Sequence, residues 1–334
     1  MNRPTAKLFA DAAGCRRNGI WLTTIVMMLA GAMAACTAHP TNSANSADFR
    51  VALLTPGPVS DAGWNAAAFD GLQLIKVKLG AEIAMVQTRS PADFEDGFRD
   101  FAGRGFNLIF AHGYEYTDAA ISAGRDFPNT YFVVSSGSES SNNVASLTFK
   151  VDDAAFVEGI IAGGVSKTGV VGAIGGIELP SIKLTFEGFK RGFLSVRPKG
   201  LVLISFTGKF DDLGAAKEAA QAQINQGADV LLHDADAAGL GVFQAASQAH
   251  ILAFGAIRNQ NDVAPDVVLA SAVTSTARAF LEIATEVKEH RFHPGMIEFG
   301  LKDGMVKVVL NPRLEGLIPP ATLERVRQAE LAFH

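Results

Sequence analysis

From residue 49 onward, short runs of apolar residues alternate with longer stretches in which apolar residues recur every three or four positions. The first pattern is typical of strands buried in a parallel sheet, and the second is typical of the helices that cover it. The first strands are predicted at residues 51–54, 81–86, 108–111, 131–134 and 144–149. This alternation requires right-handed crossovers and a mostly parallel sheet with helices on both faces.

A second series of the same kind begins after Lys150. Its strands are predicted at residues 170–174, 202–206, 230–232, 251–254, 267–271, 297–299 and 306–310, and a last helix at 322–332. Together the two series hold more strands than one compact domain usually contains. The sequence therefore predicts an α/β protein with two similar lobes that face each other.

The interruptions of the alternation predict how the chain is divided between the lobes. Each lobe takes one long and one short segment: 49–149 plus 256–292 for the first, and 150–255 plus 293–334 for the second. The chain would then cross between the lobes near Lys150, near Gly255 and near His293. Several crossings form a hinge, and a hinge between lobes creates a cleft that can close on a ligand.

Residues 1–36 have the pattern of an export signal. An uncharged apolar stretch at 20–35 follows the basic residues Arg3, Lys7, Arg16 and Arg17. It is short for a membrane span, and it ends in Met33-Ala34-Ala35-Cys36, which resembles a bacterial lipobox with Met in place of the usual Leu. We therefore expect export and lipid anchoring at Cys36. An ordinary cleaved signal and an uncleaved anchor helix remain as alternatives. Residues 37–48 are small and polar and read as a flexible tether.

Composition excludes several classes of function. The net charge of the 334-residue chain is −5, and Lys and Arg form no cluster, which argues against a basic surface for nucleic acid or anionic membranes. The two cysteines are Cys15 and Cys36, so the part after residue 36 contains no thiol. A disulfide framework, a thiolate metal site and a cysteine nucleophile are therefore excluded there.

The stretch from residue 49 to residue 72 carries the strongest candidate site. A predicted strand is followed by the turn Thr55-Pro56-Gly57-Pro58, and then a helix begins with Asp61, Trp64 and Asn65 at its start. In open α/β sheets, ligands bind outside the carboxyl ends of the strands, where helix N-termini present free N–H groups. An aromatic ring between a carboxylate and an amide suits a flat ligand with hydrogen-bonding edges. The alternative is a core role for Trp64 and a helix-capping role for Asp61.

Motifs for catalysis, metals and cofactors are weak. The glycine-rich residues 169–176 lack the Lys-Ser/Thr ending of a phosphate loop, and Ser136 lacks the G-x-S-x-G context of a nucleophile. His290 and His293 lie at a predicted exposed helix end, which does not indicate a metal site. We therefore predict a protein without enzymatic activity, cofactor or metal. A hydrolase with Asp61 or Asp236 as general base, and a sensor ectodomain, are the rival hypotheses.

Five stretches together resemble one known family. They are SDAGWNAAAFDGL at 60–72, TGKFDDLGAAKEAA at 207–220, QGADVLL at 226–232, DADAAGLGVFQAA at 234–246 and FGLKDGMVKVVLNP at 299–312. Across residues 49–332 the chain is similar to the BMP (basic membrane protein) family of bacterial solute-binding lipoproteins, also called PnrA-like or Med-type. The resemblance implies the type I periplasmic-binding architecture, in which two Rossmann-like lobes with parallel sheets are joined by a three-strand hinge. It also implies delivery of nucleosides to an ABC permease and its ATPase.

The same resemblance implies which residues bind the ligand. Asp61, Trp64 and Asn65 match the family's acid–aromatic–amide element, with Trp where the family commonly has Phe. Phe210 matches the opposing aromatic of the second lobe, and Gly239 matches a position where the backbone approaches the ligand. A base stacked between Trp64 and Phe210 would gain roughly 1–3 kcal/mol per stacking face.

The positions that read the sugar depart from the family pattern. Ser136, Ile257 and Thr274 stand where the family commonly has two acids and a lysine. A nucleoside, a free nucleobase and another flat heterocycle therefore all remain open as the ligand. Five further residues follow predicted strands and are candidates to compensate: His112, Tyr114, Asp236, Arg258 and Asn259.

Overall fold

The computed structural model describes residues 49–61 and 63–333. The elements below all belong to the unit Ala44–His334. The predicted export signal, Cys36 and the predicted tether lie outside the described residues. No helix in the described part of the chain is both long enough and apolar enough to cross a membrane.

The described residues form strands and helices in regular alternation. The strands are β1 (Arg50–Thr55), β2 (Glu82–Gln87), β3 (Leu108–His112), β4 (Tyr131–Ser135), β5 (Val144–Phe149), β6 (Val170–Gly175), β7 (Leu201–Phe206), β8 (Val230–Asp234), β9 (Leu252–Ile257), β10 (Val268–Thr274), β11 (Met296–Phe299) and β12 (Val306–Leu310). The helices are α1 (Trp64–Leu79), α2 (Pro91–Gly103), α3 (Thr117–Asp126), α4 (Val151–Val165), α5 (Pro180–Val196), α6 (Leu213–Asn225), α7 (Gly239–Ala249), α8 (Thr276–Lys288) and α9 (Pro320–Ala332).

Two six-stranded sheets organise these elements. The first has the order β11-β5-β4-β3-β1-β2, and the second has the order β12-β10-β9-β8-β6-β7. All neighbouring pairs among these strands are parallel except β10 and β12, which are antiparallel. The prediction of an α/β protein with two parallel-dominated sheets is confirmed. We call the first sheet with α1, α2, α3 and α8 lobe A, and the second sheet with α4–α7 and α9 lobe B.

Burial on both faces explains why residues 51–54 of β1 and 108–111 of β3 are all apolar. Val51 to Leu54 are fully buried in β1, and every residue of β3 is buried as well. In lobe A, α8 packs on α1, and Phe280 of α8 stacks on Phe110 of β3 with ring centroids 4.0 Å apart. In lobe B, α9 packs on α4 through Phe333 and Phe156. Each sheet is therefore covered by helices, as parallel sheets require.

Strand membership differs from the predicted division of the chain at two places. The chain leaves the first sheet after Phe149, returns to it after Thr274 and leaves it again after Phe299. The predicted division places residues 256–274 in the first lobe and 293–299 in the second, whereas β10 pairs in the second sheet and β11 pairs in the first. The chain does not cross near Gly255, because a compact polar loop joins β9 directly to β10 in the same sheet.

The three crossing segments lie side by side between the lobes. The N–H of Lys150 donates to the carbonyl of Phe299 at 2.8 Å, and the N–H of Ser275 donates to the carbonyl of Met305 at 2.6 Å. These bonds join segments that are distant in the chain but that all pass from one sheet to the other. The arrangement is a three-segment connection of the kind expected for a hinge.

Candidate functional site

Asp61 holds the start of α1 through both of its carboxylate oxygens. Oδ1 accepts from the N–H groups of Gly63 at 3.0 Å and Ala66 at 2.9 Å. Oδ2 accepts from the N–H and the side-chain Nδ2 of Asn65, each at 2.8 Å. Four donors occupy the acceptor positions of one carboxylate, so Asp61 acts as a helix cap, which is the alternative raised from the sequence. Through the same carboxylate, Asp61 also fixes the orientation of the Asn65 side chain.

Asn65 is 7% exposed and is oriented by Asp61. Because Nδ2 of its carboxamide donates to Asp61, the carbonyl oxygen Oδ1 points away from that carboxylate. Oδ1 is buried and has no hydrogen-bond partner among the described residues. A buried acceptor without a donor costs about 1–3 kcal/mol, so this oxygen favours a ligand that brings an N–H or O–H group.

Trp64 is half-buried and is fixed against His112. The two rings are stacked with centroids 3.9 Å apart and an interplanar angle of 21°. The indole Nε1 donates to the carbonyl oxygen of His112 at 3.1 Å. Since the indole has one donor and no acceptor, its polar group is already satisfied inside lobe A. Any contact of this side chain with a ligand is therefore through the ring.

His112 lies behind Trp64 and is fully buried, so it is placed as a support for the indole. Its Nε2 contacts the carbonyl oxygen of Trp64 at 3.0 Å, and its Nδ1 contacts the hydroxyl of Ser135 at 2.8 Å. A carbonyl oxygen can only accept, so Nε2 carries the hydrogen and Nδ1 accepts from Ser135. Burial lowers the pKa of His112 to about 3, against an opposing effect of the Trp64 carbonyl. The imidazole is therefore neutral.

Two other predicted residues of lobe A follow strand ends. Tyr114 lies in a short 3₁₀ turn after β3 and is 46% exposed. Ser136 follows β4 in a left-handed conformation with φ of 58°, and its N–H donates to the carbonyl of Leu147 at 2.7 Å. Among the described residues, neither side chain forms a hydrogen bond with Trp64 or Asn65.

In lobe B, Phe210 and Gly239 are held by neighbours in the same lobe. The ring of Phe210 lies against the main chain of Gly176, and its carbonyl accepts from the N–H of Ala238 at 2.9 Å. At Gly239, a Cβ would collide with the ring of His233, so the close approach there is to that imidazole. The packing of His233 is therefore enough to explain why residue 239 is a glycine, without any contact to a ligand.

Asp236 is a predicted residue that connects the two lobes through a hydrogen bond to the main chain. It follows β8, and its Oδ1 accepts from the N–H of Trp64 at the start of α1 at 3.2 Å. Loss of hydration, together with the carboxyl groups of Asp234 and Asp61, raises its pKa to about 7, and the Trp64 N–H opposes this rise. The structure thus brings together Asp61, Trp64, Asn65 and Asp236 at one place between the lobes.

Two acidic residues near Asp236, Glu158 and Asp234, were not predicted as site residues from the sequence. Glu158 of α4 is fully buried and neither carboxyl oxygen has a hydrogen-bond partner among the described residues. Burial and the nearby Asp234 raise its pKa well above the ordinary value, against an opposing effect of the Ala272 main chain. Burial also raises the pKa of Asp234 to about 6, with the Thr185 hydroxyl opposing. A single Glu inside the apolar run of α4 was the signal available in the sequence.

Arg258 and Asn259 are engaged outside the place where Asp61, Trp64, Asn65 and Asp236 meet. Arg258 pairs with Asp70 of α1 at 3.0 Å, with both side chains well exposed. Asn259 is exposed, and its Oδ1 accepts from the N–H of Asn261 at 3.1 Å. Ile257, just before them, is 6% exposed and has a φ of 67°, which is a strained conformation for a β-branched residue.

The loop after β9 is stabilised by side chains that the sequence analysis did not select. Oε1 of Gln260 accepts from Nε2 of His233 and from the N–H of Ala256, each at 2.9 Å. The Ser271 hydroxyl donates to Asn261 at 2.8 Å and accepts from the N–H of Gln260 at 3.1 Å. Burial lowers the pKa of His233 to about 4, against an opposing effect of Gln260. This network replaces the helix that usually joins two parallel strands.

The described side chains give little support to a metal centre. Within residues 49–61 and 63–333, no three His, Cys, Asp or Glu side chains lie close enough together to hold a metal ion. His290 lies two residues after the end of α8 and has a left-handed conformation. Its neighbour Glu289 pairs with Arg291. These residues form a charged helix end.

Comparisons with known proteins identify the family. Residues 49–326 match the sequence model of the family described as ABC transporter substrate-binding protein PnrA-like. The ABC transporter nucleoside-binding protein BmpA of Lactococcus lactis subsp. cremoris is 25% identical over 323 residues, which cover 89% of this chain and 92% of that protein. A purine-binding protein of Brucella abortus is 26% identical over 287 residues, which cover 85% of this chain and 80% of that protein.

The fold is also found in a solved structure of the same class. The crystal structure of an ABC transporter system solute-binding protein from Aeropyrum pernix K1 has a TM-score of 0.73 at 22% identity and covers 85% of each chain. The likeness confirms the predicted architecture. Because the family match runs from the residue before β1 into α9 and includes both sheets, this chain belongs to the Bmp family of PnrA-like ABC transporter substrate-binding proteins.

Proposed function

We propose that the protein captures a nucleoside, or a purine- or pyrimidine-like base, between lobes A and B and delivers it to the permease of an ABC importer. It is exported, anchored to the membrane through a lipid on Cys36, and has no enzymatic activity of its own. Family membership supports the transport role. The names of the two relatives, one nucleoside-binding and one purine-binding, support the ligand class.

The Asn65 carboxamide is the observation that carries the ligand class. Its buried Oδ1 lacks a donor among the described residues. Asn65 directly follows Trp64 at the start of α1, and the indole N–H of Trp64 is already satisfied by His112. A purine offers the matching combination of a ring face for Trp64 and an N–H group for Asn65. Ring stacking and one hydrogen bond of this kind each contribute about 1–3 kcal/mol to binding.

The first test is a thermal-shift screen of the purified protein against adenosine, inosine, adenine, hypoxanthine, uridine and uracil. A ligand at one hundred times its Kd stabilises the protein by about 2.7 kcal/mol. A shift with nucleosides means that the sugar is bound despite Ser136, Ile257 and Thr274. A shift with bases alone means that recognition is confined to the ring. No shift with any of them contradicts the proposed ligand class.

The role of Asn65 is tested by titration calorimetry on Asn65→Ala. We expect its affinity for the ligand found in the screen to fall about 10- to 100-fold, because the ligand loses the acceptor. Asn143→Ala is the matched control, since Asn143 is also 7% exposed but donates to three backbone carbonyls inside lobe A. That variant should lose stability and keep its affinity. Equal affinity in wild type and Asn65→Ala would remove the main support for the site.

The anchor and the rival activity need separate measurements. Growth with a labelled fatty acid should label the wild-type protein, and Cys36→Ser should abolish the label and release the protein from membranes. For the hydrolase alternative, the bound ligand is recovered after long incubation and analysed by chromatography. Unchanged ligand is expected, whereas release of free base from a nucleoside would establish an enzyme.

A further inference from the structure

Asp236 reaches from lobe B to the first turn of α1 in lobe A. Its Oδ1 accepts from the N–H of Trp64 at 3.2 Å, which is one of the N–H groups that no helical carbonyl satisfies. The preceding Gly63 is so close that a Cβ on it would lie 2.7 Å from the same oxygen. A carboxyl group of one lobe therefore caps the helix of the other lobe that carries Trp64 and Asn65.

We propose that Asp236 is a positioning residue for lobe closure, which holds α1 against lobe B in the closed protein and takes up a proton as the lobes close. Proton uptake makes closure depend on pH, and this coupling is built into the protein without a ligand. The inference concerns the movement of the lobes, so it does not rest on the identity of the ligand.

The backbone of Asp236 supports a positioning role. Its φ of 46° lies in the left-handed region, in a short 3₁₀ turn between β8 and α7. Residues other than glycine adopt this conformation at a cost in free energy, and such residues cluster at functional sites. Here the turn directs the carboxyl group towards lobe A instead of towards the helix that follows in its own lobe, where no side-chain cap is formed.

The groups that surround Asp236 are acidic or neutral. Asp61 approaches from lobe A, Asp234 lies two residues before it on β8, and Glu158 of α4 faces Asp234. The imidazoles behind Trp64 and on the other face of β8 are those of His112 and His233, whose pKa values are lowered to about 3 and about 4. The exposed pair Arg258–Asp70 also joins the lobes, but Arg258 is engaged by Asp70.

Closure brings Asp236 close to the carboxylate of Asp61 in addition to that of Asp234, and it removes water from Asp236. In the closed protein the loss of hydration, then Asp234 and then Asp61, raise its pKa to about 7 from the ordinary 3.8. When the lobes separate, Asp61 and the cover of lobe A move away, so the pKa falls towards the ordinary value. A pKa that is raised in the closed state means that closure is favoured below about pH 4 and weakened progressively up to about pH 7.

The test measures closure directly in the protein without ligand. Spin labels are placed on Val77→Cys in α1 and Leu184→Cys in α5, which are 76% and 61% exposed, with Cys15 and Cys36 replaced by serine. Pulsed electron spin resonance then gives the distance distribution between the lobes at pH 5 and pH 8. We expect the ratio of closed to open protein to fall at least about tenfold between these values, since each pKa unit corresponds to a tenfold change.

Two substitutions separate the hydrogen bond from the proton. Asp236→Asn keeps an oxygen that accepts from Trp64 but cannot ionise, so its closure should change less than about twofold between pH 5 and pH 8. Asp236→Ala should be more open than Asp236→Asn at both pH values. Asp212→Asn is the control, because Asp212 caps α6 within lobe B through the N–H of Ala215. It should keep the pH dependence of the wild type.

Three results would overturn the inference. They are a wild-type protein that stays open at pH 5, a wild-type distance distribution that does not change with pH, and an Asp236→Asn variant that follows the wild-type pH dependence. A thermal-shift screen that finds no nucleoside or base, together with a pH-dependent closure that Asp236→Asn abolishes, would refute the proposed ligand and leave this inference standing.

Discussion

Trp64 is held so that the ring is the only part of its side chain that a ligand can use. Its Nε1 and its carbonyl both bond to His112, and the imidazole stacks on one face of the indole. The ring is therefore oriented before any ligand binds, and little side-chain entropy is lost on binding.

This arrangement predicts a graded series of substitutions at Trp64. Trp64→Ala should lower ligand affinity about 10- to 100-fold, because one stacking face is worth roughly 1–3 kcal/mol. Trp64→Phe should retain most of the affinity, since a smaller aromatic face remains. Titration calorimetry gives the affinities, and circular dichroism checks that both variants are folded. If the two variants bind equally well, stacking on Trp64 is not part of recognition.

At the residue scale, the sequence predicted those contacts that form between residues close together in the chain. Asp61 and Asn65 are four positions apart at a helix start, so their hydrogen bonds follow from capping rules. The support of Trp64 by His112 depends on the contact between the start of α1 and the end of β3, which no local pattern specifies. Glu158 and Asp234 likewise meet only after α4 has packed on the second sheet.

At the scale of single elements, the start of α1 combines a structural role with the proposed binding role. Asp61→Ala removes an acceptor for four N–H groups and should lower the free energy of unfolding by about 1–2 kcal/mol. It should also lower ligand affinity, because Asn65 loses the bond that orients its carboxamide. Urea denaturation and calorimetry measure the two effects.

Asp212→Ala is the matched control for this experiment. Asp212 caps α6 through the N–H of Ala215, so its loss should cost about 1 kcal/mol of stability. Its ligand affinity should equal that of the wild type. Loss of stability without loss of affinity in Asp61→Ala would show that α1 binds ligand without help from its cap.

Helix α4 should make the stability of the protein depend on pH. Because the pKa of Glu158 is raised in the folded state, its favourable contribution is present at low pH and is lost as the pH rises above 4.5 through the folded value. In this window the free energy of unfolding falls by about 1.4 kcal/mol per pH unit. Glu158→Gln cannot ionise at this position, so this loss of stability should be absent from the variant. Between pH 5 and pH 8, its free energy of unfolding in urea should therefore rise relative to that of the wild type. Parallel curves for the two proteins would contradict it.

The positions of helices and strands were predicted better than the sheet to which each strand belongs. The alternation of strands and helices was readable because a buried parallel strand and an amphipathic helix have different apolar periods. The membership of β10 and β11 was not, because a strand's own sequence does not say which sheet it joins. The loop between β9 and β10 contains polar residues that look solvated in sequence, yet Gln260 and Asn261 are buried and hold the connection.

At the scale of the whole molecule, a hydrogen bond and an ion pair between described residues join α1 to lobe B, and they differ in character. The ion pair between Arg258 and Asp70 is exposed, whereas the bond between Asp236 and Trp64 is shielded. Exposed ion pairs contribute about 0–1 kcal/mol and are screened by salt.

Asp70→Asn should therefore change ligand affinity less than about fivefold at low ionic strength, in keeping with a contribution below about 1 kcal/mol. The difference from wild type should vanish at high salt. Calorimetry at two salt concentrations measures both, and Asp126→Asn is the control, since Asp126 forms an exposed pair with Arg99 inside lobe A. A large, salt-independent effect of Asp70→Asn would mean that this pair carries the closure.

The fixed stack of Trp64 on a neutral imidazole has an optical consequence. The chain contains two tryptophans, and the other, Trp21, lies in the predicted export signal. In the exported protein, the fluorescence of the part after residue 36 would then come from one indole placed where the two lobes meet. A ligand that stacks on it, or a movement that exposes it, should change its emission. The protein thus carries its own reporter of occupancy, and binding rates can be followed by stopped-flow fluorescence without any added label.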